Sequence, residues 1–195
     1  MRPRHFGYEI IRLVHQFDDL EFSSGDIALR RFKTADLAEL VEYGNDPLTQ
    51  MWLPIPHPYS EEHAKWFIDD YAEELFISGR GLLRAIDLNG RFGGSIDIKK
   101  ADWAARTCEI SYWSAPWARG QGLMTSALKI LAEWALRDQG MERVEVRVAT
   151  KNIASQRAGE KAGFTREGIA RNAGFIHAGR VDLVIFSIVA GDLSA

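Results

Sequence analysis

The chain has one cysteine, Cys108, among its 195 residues. It therefore has no disulfide framework and no cysteine-based zinc site, and a reducing, cytoplasmic setting is the expectation. Histidine is also sparse. His5, His15, His57, His63 and His177 include no H-x-x-x-H pair, and no Asp/Glu cluster stands at ligand spacing, so no metal is expected. A basic excess is missing too: 24 Lys and Arg face 27 Asp and Glu, a formal net charge of -3. Neutralising a phosphate backbone needs the opposite balance, so nucleic acid is not an expected partner. No apolar run approaches the roughly 20 residues that span a bilayer. The N-terminus is basic at Arg2 and Arg4, but Glu9, Arg12, Asp18 and Asp19 break it up before an apolar h-region can form. Neither a membrane nor an export signal is therefore expected. Repeats, low-complexity tracts and a Pro/Gly/Ser-rich linker are likewise absent. What remains is 46% hydrophobic and 26% charged residues, a composition able to bury a sizeable core. The expected organisation is a domain over residues 27–195, preceded by an extension over 1–26 that is partly packed on it.

Periodicity orders the elements. Residues 1–26 read as an irregular lead-in with one strand, and 27–32 as a second strand. Thr34 caps a helix through Tyr43, with Leu37, Leu40 and Val41 at core spacing. Four of the six prolines, Pro47, Pro54, Pro56 and Pro58, fall within 45–60, which reads as a loop. Ser60 caps a longer helix, with Glu61 and Glu62 in its first turn suiting the helix dipole. Strands over 82–88 and 92–98 flank Asn89-Gly90, a hairpin dipeptide. Over 107–114 the residues alternate: Thr107, Glu109, Ser111 and Trp113 share one face, and Cys108, Ile110 and Tyr112 the other. Helical spacing is cleanest over 123–137, through Met124, Ala127, Leu128, Leu131, Trp134 and Ala135. Val144, Val146 and Val148 mark a strand, 155–162 a short helix, and 164–171 and 181–189 the closing strands. Hairpins mixed with crossovers predict an α+β fold around a mixed sheet.

One segment points to a ligand. Arg119-Gly120-Gln121-Gly122-Leu123-Met124-Thr125 runs from a strand end into the amphipathic helix. A helix start presents unpaired N–H groups and partial positive charge. Gly120 and Gly122 allow close backbone approach to an anion, and Arg119 adds a charged donor. By spacing alone this is an anion site or a plain corner into the helix. It is neither a P-loop nor a dinucleotide fingerprint.

Arg119-Gly120-Gln121-Gly122-Leu123-Met124 resembles the Arg/Gln-x-x-Gly-x-Gly/Ala motif of the GNAT N-acetyltransferases. Asn152, Ser155, Lys161, Gly163, Phe164, Glu167 and Gly168 follow a pattern similar to the RimJ/RimL-like ribosomal-protein acetyltransferase branch. Leu29-Arg30-Arg31-Phe32 with Asp36, Glu109 to Trp113, and Val181-Asp182 fit the same branch. The resemblance implies a twisted mixed sheet of about seven strands with a splayed central parallel pair, flanked by about four helices. Acetyl-CoA would enter that opening. Trp113, Ser114 and Ala115 would face its pantetheine, and Arg119 to Thr125 its pyrophosphate. Asn152 and Ser155 would sit near the thioester, and Arg157 at the CoA wall. Three positions depart from the family pattern. Met124 stands where the motif ends in Gly or Ala, which still permits backbone donation but narrows the turn. A tyrosine acid that many members use is replaced by Gly159, and an acidic residue expected near Gly174 is missing.

Acetyl transfer to an amine needs a base, a polarised thioester carbonyl and a stabilised thiolate. Glu109 is the candidate base, or else an ion-paired strand residue, with Asp97 and Glu145 behind it. Ser155 is the candidate donor to sulfur, or else a helix cap. Asn152 either caps that helix or contacts the ligand, and Cys108 reads as buried filler. Trp52, His57 and Tyr59 in the proline-rich segment, with a loop over 172–180, flank the expected acceptor mouth; all three can equally pack that segment down, Trp52 above all. The implied activity is direct acetyl transfer to a primary amine, either a protein N-terminus or a small molecule. The alternative is an acyl-CoA-binding module without efficient turnover. The oligomeric state, a homodimer included, stays open.

Overall fold

Alternating apolar residues place eight strands among the described residues, 15–193, of the computed structural model. These are β1 (Phe22–Ser24), β2 (Ile27–Arg30), β3 (Leu82–Leu88), β4 (Arg91–Asp102), β5 (Thr107–Ser114), β6 (Arg143–Ala149), β7 (Thr165–Ile176) and β8 (Gly179–Val189). The basic N-terminal segment and His5 lie outside the described residues. The strands form one sheet in the order β1-β2-β3-β4-β5-β6-β8-β7. Pairing is antiparallel throughout except between β5 and β6, which run parallel. The strand total is one above the expected seven.

Five helices flank the sheet among the described residues: α1 (Leu37–Gly44), α2 (Pro47–Trp52), α3 (residues 61–77), α4 (Leu123–Arg137) and α5 (Ile153–Lys161). The periodicity over 123–137 predicts α4 to the residue. Its stripe of Ala127, Leu128, Leu131, Ala132 and Ala135 is fully buried, in one apolar cluster with Ile110, Val144 and Val146. The opposite face of the sheet meets α1 and α3: Leu40, Phe67 and Tyr71 close over Ser95, Asp97 and Ser111 of β4 and β5.

Three expectations need correction. The loop expected over 45–60 contains α2. Asp46 caps that helix by accepting from the Thr49 N–H at 2.9 Å, and Pro47 sits in its first turn, where a missing N–H costs nothing. Gln50 then donates to the carbonyls of Gly44 and Pro56, at 2.7 and 3.0 Å, holding the rest of the segment against α1. The helix begun at Ser60 is not uniform: Glu61–Trp66 and Ala72–Ile77 are α-helical, and Phe67–Tyr71 between them is a π-turn. The loop expected over 172–180 is the tip of a hairpin. β7 continues to Ile176 and β8 starts at Gly179, with an irregularity between Ala170 and Gly174 that hid the alternation.

Two cations, one half-buried and one buried, stitch the first strands of the sheet. Arg30 bridges Asp36 and Asp87 through four bonds of 2.7–2.9 Å, joining β2, β3 and the start of α1. Arg84, 4% exposed, donates to the carbonyls of Leu20 and Leu83 at 2.6 and 2.7 Å and pairs with Asp19. Beside it Phe17 is buried between Trp103 and Trp134, with ring centroids 4.6 and 5.9 Å away.

β4 meets β5 unusually closely at one point. An extra residue, Gly93, sits where Ile86 pairs Gly94 and Asp87 pairs Phe92. A Cβ on Gly94 would lie 2.3 Å from the Trp113 carbonyl oxygen and 3.0 Å from the Ser114 Cα. Gly94→Ala is expected to cost about 1–3 kcal/mol by overpacking rigid backbone. Thermal unfolding checks this, the expected result being a midpoint lowered by several degrees.

Candidate functional site

β5 and β6 pair only from Thr107–Arg143 to Ile110–Val146. Beyond that point the strands diverge. Ser111 to Ser114 on one side and Arg147 to Ala149 on the other then line a cleft of about 680 Å³. A strand edge that opens in mid-sheet leaves backbone N–H and C=O groups that need a partner.

The predicted anion turn lines the same cleft. Gly120 and Gly122 have φ of +76° and +81°, a turn that only glycine adopts without strain. Gly122 is also the N-cap of α4, and no side chain caps that end. The first intrahelical bond there is from the Ser126 N–H to the Gly122 carbonyl at 3.1 Å. The N–H groups of Leu123, Met124 and Thr125 thus stand at the positive end of a 15-residue helix, and all three residues line the cleft. Arg119, Arg147, Arg157 and Lys161 line it too, a local basic surface on a chain of net charge -3.

Of the residues expected to hold the cofactor, Trp113, Ser114, Arg119, Gly120, Gly122, Leu123, Met124, Thr125, Asn152 and Arg157 line the cleft. Ala115 is fully buried, with its N–H donated to Gly93, and Gln121 is exposed, donating to the Trp117 carbonyl at 2.7 Å. Arg119 has a further task. Its Nη2 pairs with Asp46 and donates to Thr49 Oγ1 at 3.2 Å, so the same guanidinium that borders the turn grips the cap of α2.

At the apex of the opening, the Tyr112 hydroxyl lies 2.7 Å from Ser155 Oγ. Burial raises the Tyr112 phenol pKa, with the Ser155 bond working the other way. Asn152, not Ser155, caps α5: its Oδ1 accepts from the Ser155 N–H at 3.2 Å, leaving the Ser155 hydroxyl to Tyr112. Sequence reading missed Tyr112 as a site residue because its alternation with Cys108 and Ile110 marks a core position. The signal that could have found it is its place after the last paired residue, where a core-facing side chain turns into the cleft.

On the other face of β4 and β5 a ladder of polar pairs runs Ser95–Trp113, Asp97–Ser111, Lys99–Glu109. Glu109 is held by Lys99 at 3.2 Å and Lys100 at 2.8 Å. Burial opposes its charge, but the two lysines prevail and keep the carboxyl below its ordinary range. Asp97 is 8% exposed and accepts from the Ser111 hydroxyl. There burial prevails and pushes the carboxyl up to about 6, against the pull of Lys99 and Ser111. Cys108 is buried and its thiol is pushed up to about 12, the state of an unreactive side chain.

A second cavity of about 250 Å³ lies over that ladder. Tyr59 lines it from a buried position, Trp52 lines the main cleft, and His57 is exposed and lines neither. His177 at the β7–β8 tip meets the Ile55 carbonyl at 2.9 Å, joining the hairpin to the proline-rich segment. Among the described residues no group of His, Cys, Asp and Glu could hold a metal, and no helix is long and apolar enough to cross a membrane.

Residues 26–165 match the family described as Acetyltransferase (GNAT) domain. A relative from Bacillus subtilis (strain 168), named "Putative ribosomal N-acetyltransferase YdaF", is 27% identical over 154 residues, covering 78% of this chain and 84% of that protein. A crystal structure described as a probable acetyltransferase shares the fold with a TM-score of 0.80 at 25% identity, over 89% of this chain and 99% of the other. RimJ of Mycobacterium smegmatis, solved with CoA-disulfide, also has a TM-score of 0.80, at 22% identity over 87% and 84% of the two chains. An eight-stranded mixed sheet opened at its parallel pair, a glycine turn feeding an uncapped helix, and a family match over most of the length agree: this chain belongs to the GNAT family and is an acetyltransferase.

Proposed function

We propose that the protein transfers an acetyl group from acetyl-CoA directly to a primary amine, within a ternary complex in the cytoplasm. The observation that carries this reading is the loss of β5–β6 pairing after Ile110 and Val146, directly beside the uncapped start of α4. A linear ligand with amides along one part and a diphosphate at its end matches those groups in order: strand edge first, then helix N–H groups and Arg119. The solved relatives holding CoA or acetyl-CoA support the same donor.

Transfer requires the amine nitrogen to attack the thioester carbonyl carbon while the carbon–sulfur bond breaks toward CoA thiolate. Tyr112 and Ser155 form a hydroxyl pair suited to return a proton to that sulfur. With Gly159 in place of the family's usual tyrosine, the phenol comes here from β5 instead. The acceptor favoured is a protein N-terminal amine, in keeping with the ribosomal name of the Bacillus subtilis relative. Trp52, Tyr59 and the β7–β8 tip form the acceptor side.

Titration calorimetry with acetyl-CoA is expected to give saturable binding, weakened about tenfold, ~1.4 kcal/mol, by Arg119→Ala. No binding by the unaltered protein would remove the proposal, and binding without CoA release on any amine would favour the non-catalytic module. Tyr112→Phe and Ser155→Ala are each expected to lower kcat about 10- to 100-fold, with acetyl-CoA affinity nearly unchanged. Because the two hydroxyls act as a unit, the double variant should fall little below the worse single one. Fully additive losses in steady-state kinetics would separate their roles.

A further inference from the structure

The second cavity has chemistry that the CoA cleft does not. Leu40 from α1, Leu53, and Trp66, Phe67 and Tyr71 from α3 make its walls, and Asp97 lies on its floor. The π-turn of α3 supplies Phe67 and Tyr71, a local irregularity of the kind that often marks a working site. Thr49, Leu53, Lys99, Ser111, Tyr112 and Trp113 line both cavities, so the two spaces adjoin at the point where β5 leaves β6. At about 250 Å³ the cavity is smaller than the roughly 300–1,000 Å³ typical of drug-sized ligand sites, and suits one residue-sized group.

Its charges are few. Lys99 is engaged by Glu109, and Asp97 has the Ser111 hydroxyl but no ion-pair partner within salt-bridge distance among the described residues. A buried carboxylate whose nearest cation, Lys99, is already ion-paired with Glu109, in a cavity with aromatic walls, favours an arriving ammonium, both by ion pairing and by cation–π attraction.

Resting on the acetyl transfer proposed above, we propose that this cavity receives the acceptor, that Asp97 binds its ammonium and takes its proton, and that the preferred acceptors are primary amines carried next to one apolar or aromatic group. One proton passes from nitrogen to the Asp97 carboxylate. The freed lone pair attacks the thioester carbon, the carbon–nitrogen bond forms, and the carbon–sulfur bond breaks with its electron pair on sulfur. The second proton lost by nitrogen ends on sulfur through the Ser155 and Tyr112 hydroxyls, and Asp97 then releases its own proton to solvent. Glu109 is the lesser base because two lysines already hold it. Polyamines are disfavoured, since a second ammonium would find Lys99 rather than another carboxylate on the cavity wall.

The groups that face Asp97 are Lys99 on its own strand, Ser111 and Glu109 on β5, and Tyr71 on α3. The Tyr71 phenol is itself pushed up to about 12, by burial first and then by the Asp97 charge. With the base active when ionised, kcat/KM for an amine acceptor should rise with pH through a limb centred near 6. The experiment is steady-state acetylation of short peptides with N-terminal Phe, Leu, Ala, Ser or Asp, and of spermidine, across pH. The expected order is Phe and Leu first and spermidine last, with Asp97→Asn lowering kcat/KM about 100-fold, erasing the limb near pH 6 and leaving acetyl-CoA affinity intact. Trp66→Ala, at a half-exposed position that tolerates truncation, should raise KM for the Phe peptide about tenfold at unchanged kcat, which keeps the test open if Asp97→Asn fails to fold. Preference for spermidine or the Asp peptide, or an unchanged KM in Trp66→Ala, would overturn the acceptor class. An intact pH limb in Asp97→Asn would overturn the role of Asp97. Each of those outcomes leaves acetyl transfer standing, whereas failure of the unaltered protein to bind acetyl-CoA would remove the transfer itself.

Discussion

The arrangement depends on one broken register. After four residue pairs β5 and β6 part company, and the candidate site is set around the gap. Strands in a twisted sheet diverge only if something else satisfies their edges and fills the wedge between them. Here the buried face of α4 holds the closed half together through Ile110, Val144 and Val146. The Tyr112–Ser155 pair spans the apex, and the start of α4 stands over the open end. The close contact of Gly94 with Trp113 and Ser114 fixes β5 against β4 where β6 no longer supports it.

The gap has two sides because β5 alternates. Tyr112 points toward α5, while Ser111 and Trp113 point toward α1 and α3. One strand thereby presents a phenol to one space and a ladder of polar pairs to the other. The environments diverge although the residues are neighbours. Glu109 is kept charged by lysines, whereas Asp97, one pair along, is buried with a hydroxyl for company. Two carboxylates with opposite shifts on one sheet face make a polarity gradient that leads toward the apex.

Elements with strong, unbroken patterning were legible from sequence: α4 and β5 have their predicted limits, and the glycine turn lies where its spacing placed it. Elements whose signal is local chemistry rather than period were not. Pro47 has the pattern of a breaker, although the first turn of a helix tolerates it and Asp46 supplies the cap. The irregularity between Ala170 and Gly174 interrupted the alternation of β7 and made a strand resemble a loop. At the site, the residue types were visible but not their partners. Nothing in the order of residues tells that Lys99 and Lys100 reach Glu109, that Arg119 reaches Asp46, or that Tyr112 meets Ser155. Those pairings are set by strand register and the splay, both of which arise between distant parts of the chain.

The buried guanidinium of Arg84 carries a consequence for where this domain physically begins. The family match starts at residue 26, yet the carboxylate that pairs with Arg84 is Asp19, one of the two carbonyls that accept from it is that of Leu20, and the ring that packs beside Trp103 is Phe17. Trimming to the matched boundary would strand a cation in a strand whose seven residues are all buried, a position where an uncompensated charge is severely destabilising. The segment ahead of β1 is thus part of the packed structure: Phe17 and Leu20 are buried in the same apolar cluster as the sheet.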